Sequence, residues 1–599
     1  MSNTRTITRE PLSEAMQITV NRKIRSFLIP LLASLLHVSV GMVLFAQEGS
    51  PAGYWKLQGD LLDSSGNQNT AINHGVNLSA VGNEHENSLA ALFDGRKSYL
   101  EIPHSQSLAL GTGDFSVSLW VHTTKKLDDN LGDLITKYDP ETRRGFNLSL
   151  VNHAGVTGSQ ANYRNIQFGI DAGRQSAQWR DEGRPGKSIF IHSMAVHAGN
   201  LYAGTVEGRT NDDKGHVYRY KETGEWEDLG TPWKSNGVTS MASFQGKLHV
   251  GVSRVLLHYS GLEPTLSHHI GGKVFRLEND GQWTDLGQLL GLDGINGLVN
   301  FKGNLYATGF YQPGFFRYEG GTSWQSLGTP DDLRLEALAV HNGSIYATSY
   351  DEGSVFRFDG KVWHRTGTLG TASRTQAYWD GKKWVPTGLK GEETGTQVYS
   401  LGLHQGKLVA GTWPEGKVYR YEGGKTWKST GRLGDEQEIM SSNHYNGKLY
   451  AGSLPLAEIF RYDGDEKWKS VGRVDLTRDV IYRRAYSLAV FKGRLFSGTF
   501  PSGHVRSFEA GKVVSHDTEL KSGWRHIAAV KSGSKLKLFI DGSQVAESDD
   551  FEAKEFDLTN KAPLRIGFGE YDFFNGRIKN VRLHRRALTG IEIANQARN

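Results

Sequence analysis

A short motif, Gly–polar–Leu/Ile followed by an aromatic or aliphatic residue, recurs seven times and constrains the fold more than any other feature. It stands as Gly199-Asn200-Leu201-Tyr202, Gly246-Lys247-Leu248-His249, Gly303-Asn304-Leu305-Tyr306 and Gly343-Ser344-Ile345-Tyr346. It returns as Gly406-Lys407-Leu408-Val409, Gly447-Lys448-Leu449-Tyr450 and Gly493-Arg494-Leu495-Phe496. The spacings are 47, 57, 40, 63, 41 and 46 residues, two of them stretched by insertions. One insertion is VSRVLLHYSGLEPTLSHHIGG; the other surrounds SRTQAYWDGKKWVPTG and reads as a spare strand pair. Within each unit an alternating strand (Leu338-Ala339-Val340, for example) runs into the Gly turn, and a second strand follows. A third strand, such as Val418-Tyr419-Arg420-Tyr421, leads through an Asp/Glu-Gly turn to a fourth that carries Trp.

Four short strands per 40–50 residues, repeated with punctuating glycine, are the signature of a β-propeller. Seven motifs predict seven blades; six or eight remain compatible, because the spare strand pair could complete another unit. Trp324, Trp363, Trp427 and Trp468 fall 20 or 21 residues after their motif Gly, which suits packing between neighbouring blades. The turns Glu319-Gly320-Gly321-Thr322-Ser323-Trp324 and Glu422-Gly423-Gly424-Lys425-Thr426-Trp427 resemble the Asp-box of sialidases, and the strand plan resembles kelch repeats. The resemblance is architectural and spans residues 188–515. The sialidase arginine triad in its usual Arg-Ile-Pro context is missing.

The flanking segments belong together. Before the propeller come Leu92-Phe93-Asp94-Gly95, Tyr99-Leu100-Glu101-Ile102 and Phe115-Ser116-Val117-Ser118-Leu119-Trp120-Val121. After it come Trp524-Arg525-His526-Ile527-Ala528-Ala529-Val530, Leu538-Phe539-Ile540-Asp541-Gly542 and Gly576-Arg577-Ile578-Lys579-Asn580-Val581-Arg582-Leu583. All are period-two strands broken by glycine turns. In type and order these elements resemble the laminin G-like, concanavalin A-like jelly roll. Neither half has enough strands for a sandwich, so the expected architecture is all-β: a propeller (188–515) inserted into one jelly roll built from 50–187 and 516–599. Insertion is tolerated where a loop's ends lie close, as the ends of a closed ring do.

The first 46 residues read as an export signal, cleaved near Ala46 or retained as an anchor. Arg22, Lys23 and Arg25 precede the apolar run FLIPLLASLLHVSVGMVLFA. The expected location is therefore outside the cytoplasm, with membrane association only if the segment stays uncleaved. The chain has no Cys, which excludes disulfides, thiolate metal sites and a Cys nucleophile, and fits a bacterial exported protein. Its net charge of +5 sits largely in that N-terminal segment, so nothing argues for a nucleic-acid partner.

Two sets of residues do not repeat, as functional positions should not. Seven residues after each motif Gly, at a turn on one face, lie Val206, Ser253, Phe310, Tyr350, Trp413, Leu454 and Phe500. Seven before it, at the start of the innermost strand, lie His192, Thr239, Asn296, Glu336, Tyr399, Met440 and Tyr486. Phe310, Tyr350, Trp413 and Phe500, with Glu336, Arg483 and Arg484, suit sugar binding, because apolar sugar faces stack on rings and hydroxyls take directional hydrogen bonds. The expected function is non-catalytic recognition of a polysaccharide or glycoprotein. The alternative is a glycoside hydrolase or polysaccharide lyase, with Glu336 and Glu438 as acid/base candidates, or His192 and Tyr399 as a lyase pair beside Arg483. No cofactor is expected. The laminin G-like resemblance implies at most a structural calcium at the Asp63-Ser64-Ser65-Gly66-Asn67 turn, with Asp63 and Asn67 as ligands.

Overall fold

The computed structural model describes residues 49–598 apart from 84–87, 154–158, 175–177, 371–376, 380–383 and 387–395. The expected export signal lies outside the described residues. From Ser50 onward the chain forms one compact unit.

The recurring glycine has a conformational cause. In all seven motifs the Gly has φ of 70–78°, and the residue before it (Ala198, Gln245, Lys302, Asn342, Gln405, Asn446, Lys492) has φ of 45–51°. Two successive left-handed residues make the two-residue hairpin turn whose twist matches its strands, and glycine takes that conformation without steric cost. Phe190–His197 and Asn200–Val206 are joined this way, with His197 opposite Asn200. Five four-stranded sheets form separate blades: 295–326, 335–368, 397–432, 438–473 and the last, 484–508 plus Arg180–Asp181. An eight-stranded sheet holds two further four-strand meanders, 190–228 and 237–288, joined at the Val206–Gly237 pair. The hairpin Ala377–Trp379 with Trp384–Pro386 is a separate two-stranded sheet.

The outer-strand tryptophans are staples between sheets. Each indole N–H donates to a carbonyl of the preceding unit: Trp283 to Leu229, Trp324 to Leu286, Trp363 to Gly328, Trp427 to Thr366 and Trp468 to Thr430, at 2.8–3.1 Å. Trp179 to Val471 and Trp226 to Glu182 carry the pattern across the seam. There Arg180–Asp181 pairs antiparallel with Val505–Phe508, so a strand from before the ring completes the last sheet.

The remaining strands form a two-sheet sandwich. In one sheet Phe115–Thr123 lies between Gly523–Ser532 and Asn575–His584, with Trp524 opposite His122 and Val530 opposite Ser116. In the other, Leu564–Ile566 sits between Tyr99–Ile102 and Gly132–Asp139. The core mixes both ends of the chain, including Phe115, Leu119, Phe146, Phe168, Ile527, Leu538, Ile578 and Leu583. The crossover points differ from the expected limits. Arg180–Asp181 belongs to a propeller sheet, and Lys512–His516 pairs with Asn165–Ala172 in the sandwich. Both short strands thus lie on the other side of the expected limits at 187 and 516, because a local pattern does not say which edge a strand completes.

The glycine turns face the sandwich. Gly199 N–H donates to Asp517 O, Gly343 to Asp128 O, Gly406 to Tyr571 O and Gly493 to Ser515 Oγ. From the sandwich, residues 159–165 reach the inner strands. Gln160 N–H donates to Met241 O, Val196 N–H to Ala161 O, and Asn162 exchanges hydrogen bonds with Val490. The sandwich thus packs against the face of the propeller that carries the glycine turns, and the starts of the innermost strands lie at the opposite face.

The turns differ in what surrounds them, which gives a test. A Cβ at Gly493 would come within 2.1 Å of Val513 O, whereas one at Gly246 would meet nothing within 4 Å. Gly246→Ala should cost about 1 kcal/mol from backbone strain alone. Gly493→Ala should cost about 3 kcal/mol or more, because backbone must also move. Thermal denaturation of the two variants checks the ordering; equal losses would contradict the seating of these turns.

Candidate functional site

On the free face the innermost strands share an irregularity. Their pairing register shifts around His192, Thr239, Asn296, Tyr399 and Met440, and around the pairs 336–337 and 486–487. These are the non-repeating positions at the strand starts. A bulge adds a residue and re-aims its side chain. His192, Glu336, Tyr399, Met440 and Tyr486 all line one cavity at the propeller mouth, with Phe310, Tyr350 and Arg484.

The cavity holds about 60 Å³. That is room for a few waters and not for a sugar ring. It is narrowed by the first insertion, whose 3-10 turn Leu257–Ser260 crosses towards other blades. Leu256 N–H donates to Tyr311 Oη at 3.0 Å, the Tyr259 and Tyr311 rings lie 5.8 Å apart, and Arg484 Nη1 donates to Ser260 Oγ at 2.6 Å. The sequence marked this insertion by the 57-residue spacing, but its length gave no direction. Tyr259, Ser260 and Tyr311 were therefore missed as lining residues.

Burial dominates the electrostatics. It raises the Glu336 and Glu438 carboxyls to about 8 each, against a partial opposing pull from Arg484. Both acids are therefore largely protonated at neutral pH. Burial also lowers His192 to about 3, so this imidazole is neutral. Its Nδ1–H donates to Thr239 O at 3.0 Å, leaving Nε2 to accept from Tyr486 Oη at 3.3 Å. Among the described residues, Arg484 Nε, Glu438 Oε1 and Asn296 Oδ1 are buried without a hydrogen-bond partner. An unsatisfied buried polar atom costs about 1–3 kcal/mol, and a polar ligand group would relieve it.

The sequence-derived residues divide. Phe310, Tyr350, Glu336, Tyr399, His192 and Arg484 come together at the cavity. Phe500 is corrected: it is fully buried, packed 4.9 Å from the Phe190 ring with the Arg484 guanidinium 5.0 Å over its face. It supports Arg484 and offers no platform; Val206 and Leu454, at the same offset, are buried too. Trp413 is half-buried opposite Gln397 and does not line the cavity. Arg483 is also corrected, since its Nε donates to Thr477 O and it does not line the cavity. The suggested His192–Tyr399 pair is replaced by His192–Tyr486, while Tyr399 Oη donates to Gln397 Oε1 at 2.6 Å. Register alone could not foresee these outcomes, because equal offsets fix the face and not the depth of a side chain.

At the other suggested site, Asp63 Oδ1 accepts from the backbone N–H of Tyr54 and Ser65, and Oδ2 from that of Asn69. Asn67 Nδ2 donates to Ala52 O at 3.1 Å. These hydrogen bonds close the turn on itself and occupy both Asp63 oxygens.

A second surface lies on the outer face of the sandwich sheet. Half-exposed Trp120, His122 and Trp524 sit beside Lys579, whose Nζ is 5.1 Å from the Trp524 ring. The guanidinium of Arg582 lies 4.3 Å over the Tyr54 ring.

Residues 480–594 match the family model of the concanavalin A-like lectin/glucanases superfamily. The chain thus combines a laminin G-like, concanavalin A-like domain with a β-propeller. No curated protein matches the chain in sequence. Among solved structures, virginiamycin B lyase from Staphylococcus aureus aligns at 9% identity and a TM-score of 0.41, covering 55% of this chain and 99% of that one. YCF48 bound to D1 peptide aligns at 13% and 0.34, covering 56% and 97%. A putative gluconolactonase aligns at 13% and 0.31, covering 56% and 94%. Likenesses at this level carry no argument about chemistry.

The raised acids make a testable prediction. A carboxyl whose folded pKa is raised contributes stability that is fully present below the ordinary carboxylate range and is lost as pH rises through about 8. Glu438→Gln, which stays neutral, should gain on the unmodified protein in melting temperature from pH 5 to pH 9, by the equivalent of ~1 kcal/mol or more. A difference independent of pH would contradict a protonated Glu438.

Proposed function

We propose that this is an exported, non-catalytic carbohydrate-binding protein that takes a polar, acidic substituent of a polysaccharide or glycoprotein glycan at the propeller mouth. The observation that carries the reading is Arg484, whose Nε has no hydrogen-bond partner among the described residues in an aromatic-walled cavity. With Glu336 on the wall and the neighbouring Glu438 protonated, the mouth offers the Arg484 guanidinium, Arg334 stacked 4.3 Å over the Tyr350 ring, and neutral hydrogen-bonding groups, which favours an anion such as a uronate carboxylate. The cavity admits a projecting group and not a ring, so most of the glycan would lie outside it, against Tyr259 and neighbouring aromatics. The basic, aromatic face around Trp524 and Lys579 suits the same class of ligand.

In this reading the eight-stranded sheet counts as two blades, giving seven, and the propeller is an insertion between about residues 180 and 508. The joined sheet and the Trp staples across the seam support that count. The test is a glycan array with acidic and neutral members, with released reducing ends assayed in parallel. Binding should favour acidic glycans, and Arg484→Gln should weaken it by roughly 10- to 100-fold, as for a lost charged hydrogen bond. Loss in Trp524→Ala with Arg484→Gln unaffected would move the ligand to the sandwich, and steady release of reducing ends would make the protein an enzyme.

A further inference from the structure

A second cluster of chemistry-bearing side chains lies away from the mouth, where the sandwich meets the glycine turns. Asp129 stands on the sandwich segment between Phe115–Thr123 and Gly132–Asp139, and Asp572 lies just before Asn575–His584. His341 ends the innermost strand Leu335–His341 of a propeller blade. All three are at least 97% buried. One ligand atom from each lies within 4.8 Å of the others, and His341 Nδ1 is 4.0 Å from Asp129 Oδ1 and 4.0 Å from Asp572 Oδ2.

The atoms that point inward are the ones left over. His341 Nδ1 and Asp572 Oδ2 have no hydrogen-bond partner among the described residues. Backbone and side-chain donors hold the carboxylates in place. Asp572 Oδ1 accepts from Phe573 N–H at 2.8 Å; Asp129 Oδ1, the oxygen that faces His341, accepts from the N–H groups of Asn130 and Asn342 at 2.9 and 2.8 Å, and Asp129 Oδ2 accepts from Asn575 Nδ2 at 3.5 Å. His341 Nε2 lies 2.8 Å from the side-chain amide of Asn342, whose Oδ1 is otherwise unpartnered. With that amide turned so that Oδ1 accepts from Nε2–H, the Nδ1 lone pair faces the two carboxylates. A second ring N–H held by an oxygen is the usual support of a metal-bound imidazole.

The cluster is also short of positive charge. Asp128 and the buried Asp133 add acids, and Arg96 is the cation acting on both Asp129 and His341. Two buried carboxylates facing one another across an imidazole need either a shared proton or a cation.

We propose that Asp129, His341 and Asp572 bind a first-row divalent cation, zinc or manganese, which ties the propeller to the sandwich. One nitrogen and two carboxylate oxygens suit these ions. Bonds of about 2.1 Å bring neighbouring ligand atoms to about 3.4 Å, a contraction of about 0.6 Å from the two 4.0 Å spacings between His341 and the carboxylates. The ligands come from segments more than 200 residues apart, so the ion would act as a clasp of the folded state.

The experiment uses the full chain, stripped with chelator and dialysed to equilibrium against Zn²⁺ or Mn²⁺ alone, with bound metal measured by mass spectrometry and melting followed in parallel. About one ion per chain is expected, with a higher melting temperature. Asp572→Asn and His341→Gln keep shape but remove a ligand, and each should weaken binding at least tenfold. Circular dichroism of the metal-free variants shows whether they fold; if either does not, Asp129→Asn takes its place. No stoichiometric metal, or metal retained equally in folded variants, would overturn the proposal and leave a proton shared by the two aspartates.

Discussion

The pairing of Arg180–Asp181 with Val505–Phe508 is the interaction on which the rest of the structure depends. A ring of sheets closes only if its first and last members are joined, and here the joining strand comes from before the ring begins. That closure holds residues about 180 and 508 side by side. The chain on either side of them can then share one sandwich core, as the pairing of Gly523–Ser532 with Phe115–Thr123 requires. Without closure the sandwich halves would be tethered by more than 300 residues of open chain, and the loop entropy would oppose their pairing.

The fold was legible because its signals are local and repeated. A residue forced into two successive left-handed conformations leaves a glycine in the sequence, and seven such glycines mark the hairpins. Trp324, Trp363, Trp427 and Trp468 were readable as inter-blade packing because the staple falls at a fixed distance along each unit. The ends of the propeller were not readable. Arg180–Asp181 is a two-residue strand with no pattern of its own, and Lys512–His516 alternates as well in either domain.

The site was legible in part. Counting back from the glycine found the bulged positions, since a bulge at a constant place in each blade keeps its offset; His192, Glu336 and Tyr399 follow from that alone. Counting forward found the face but not the depth, and Phe500 proved to be core. Contributions from insertions and from the partner domain left no periodic trace. Tyr259 enters the mouth from an insertion, and Asp129 meets His341 only because the glycine turns sit on the sandwich. Such meetings depend on docking between distant segments, which period and spacing do not encode.

The two domains share their polar satisfaction. The turns at Gly199, Gly343, Gly406 and Gly493 give N–H groups to sandwich acceptors, and residues 159–165 take up inner-strand groups of the propeller. Opening the propeller alone would strand these groups, so propeller and sandwich should unfold together. Native-state hydrogen exchange through a urea series measures this directly. The amides of Ala528–Val530 in the sandwich and Leu338–Val340 in the propeller should lose protection with one opening free energy and one denaturant slope. Exchange of the propeller amides at lower urea, with the sandwich still protected, would contradict a single cooperative unit.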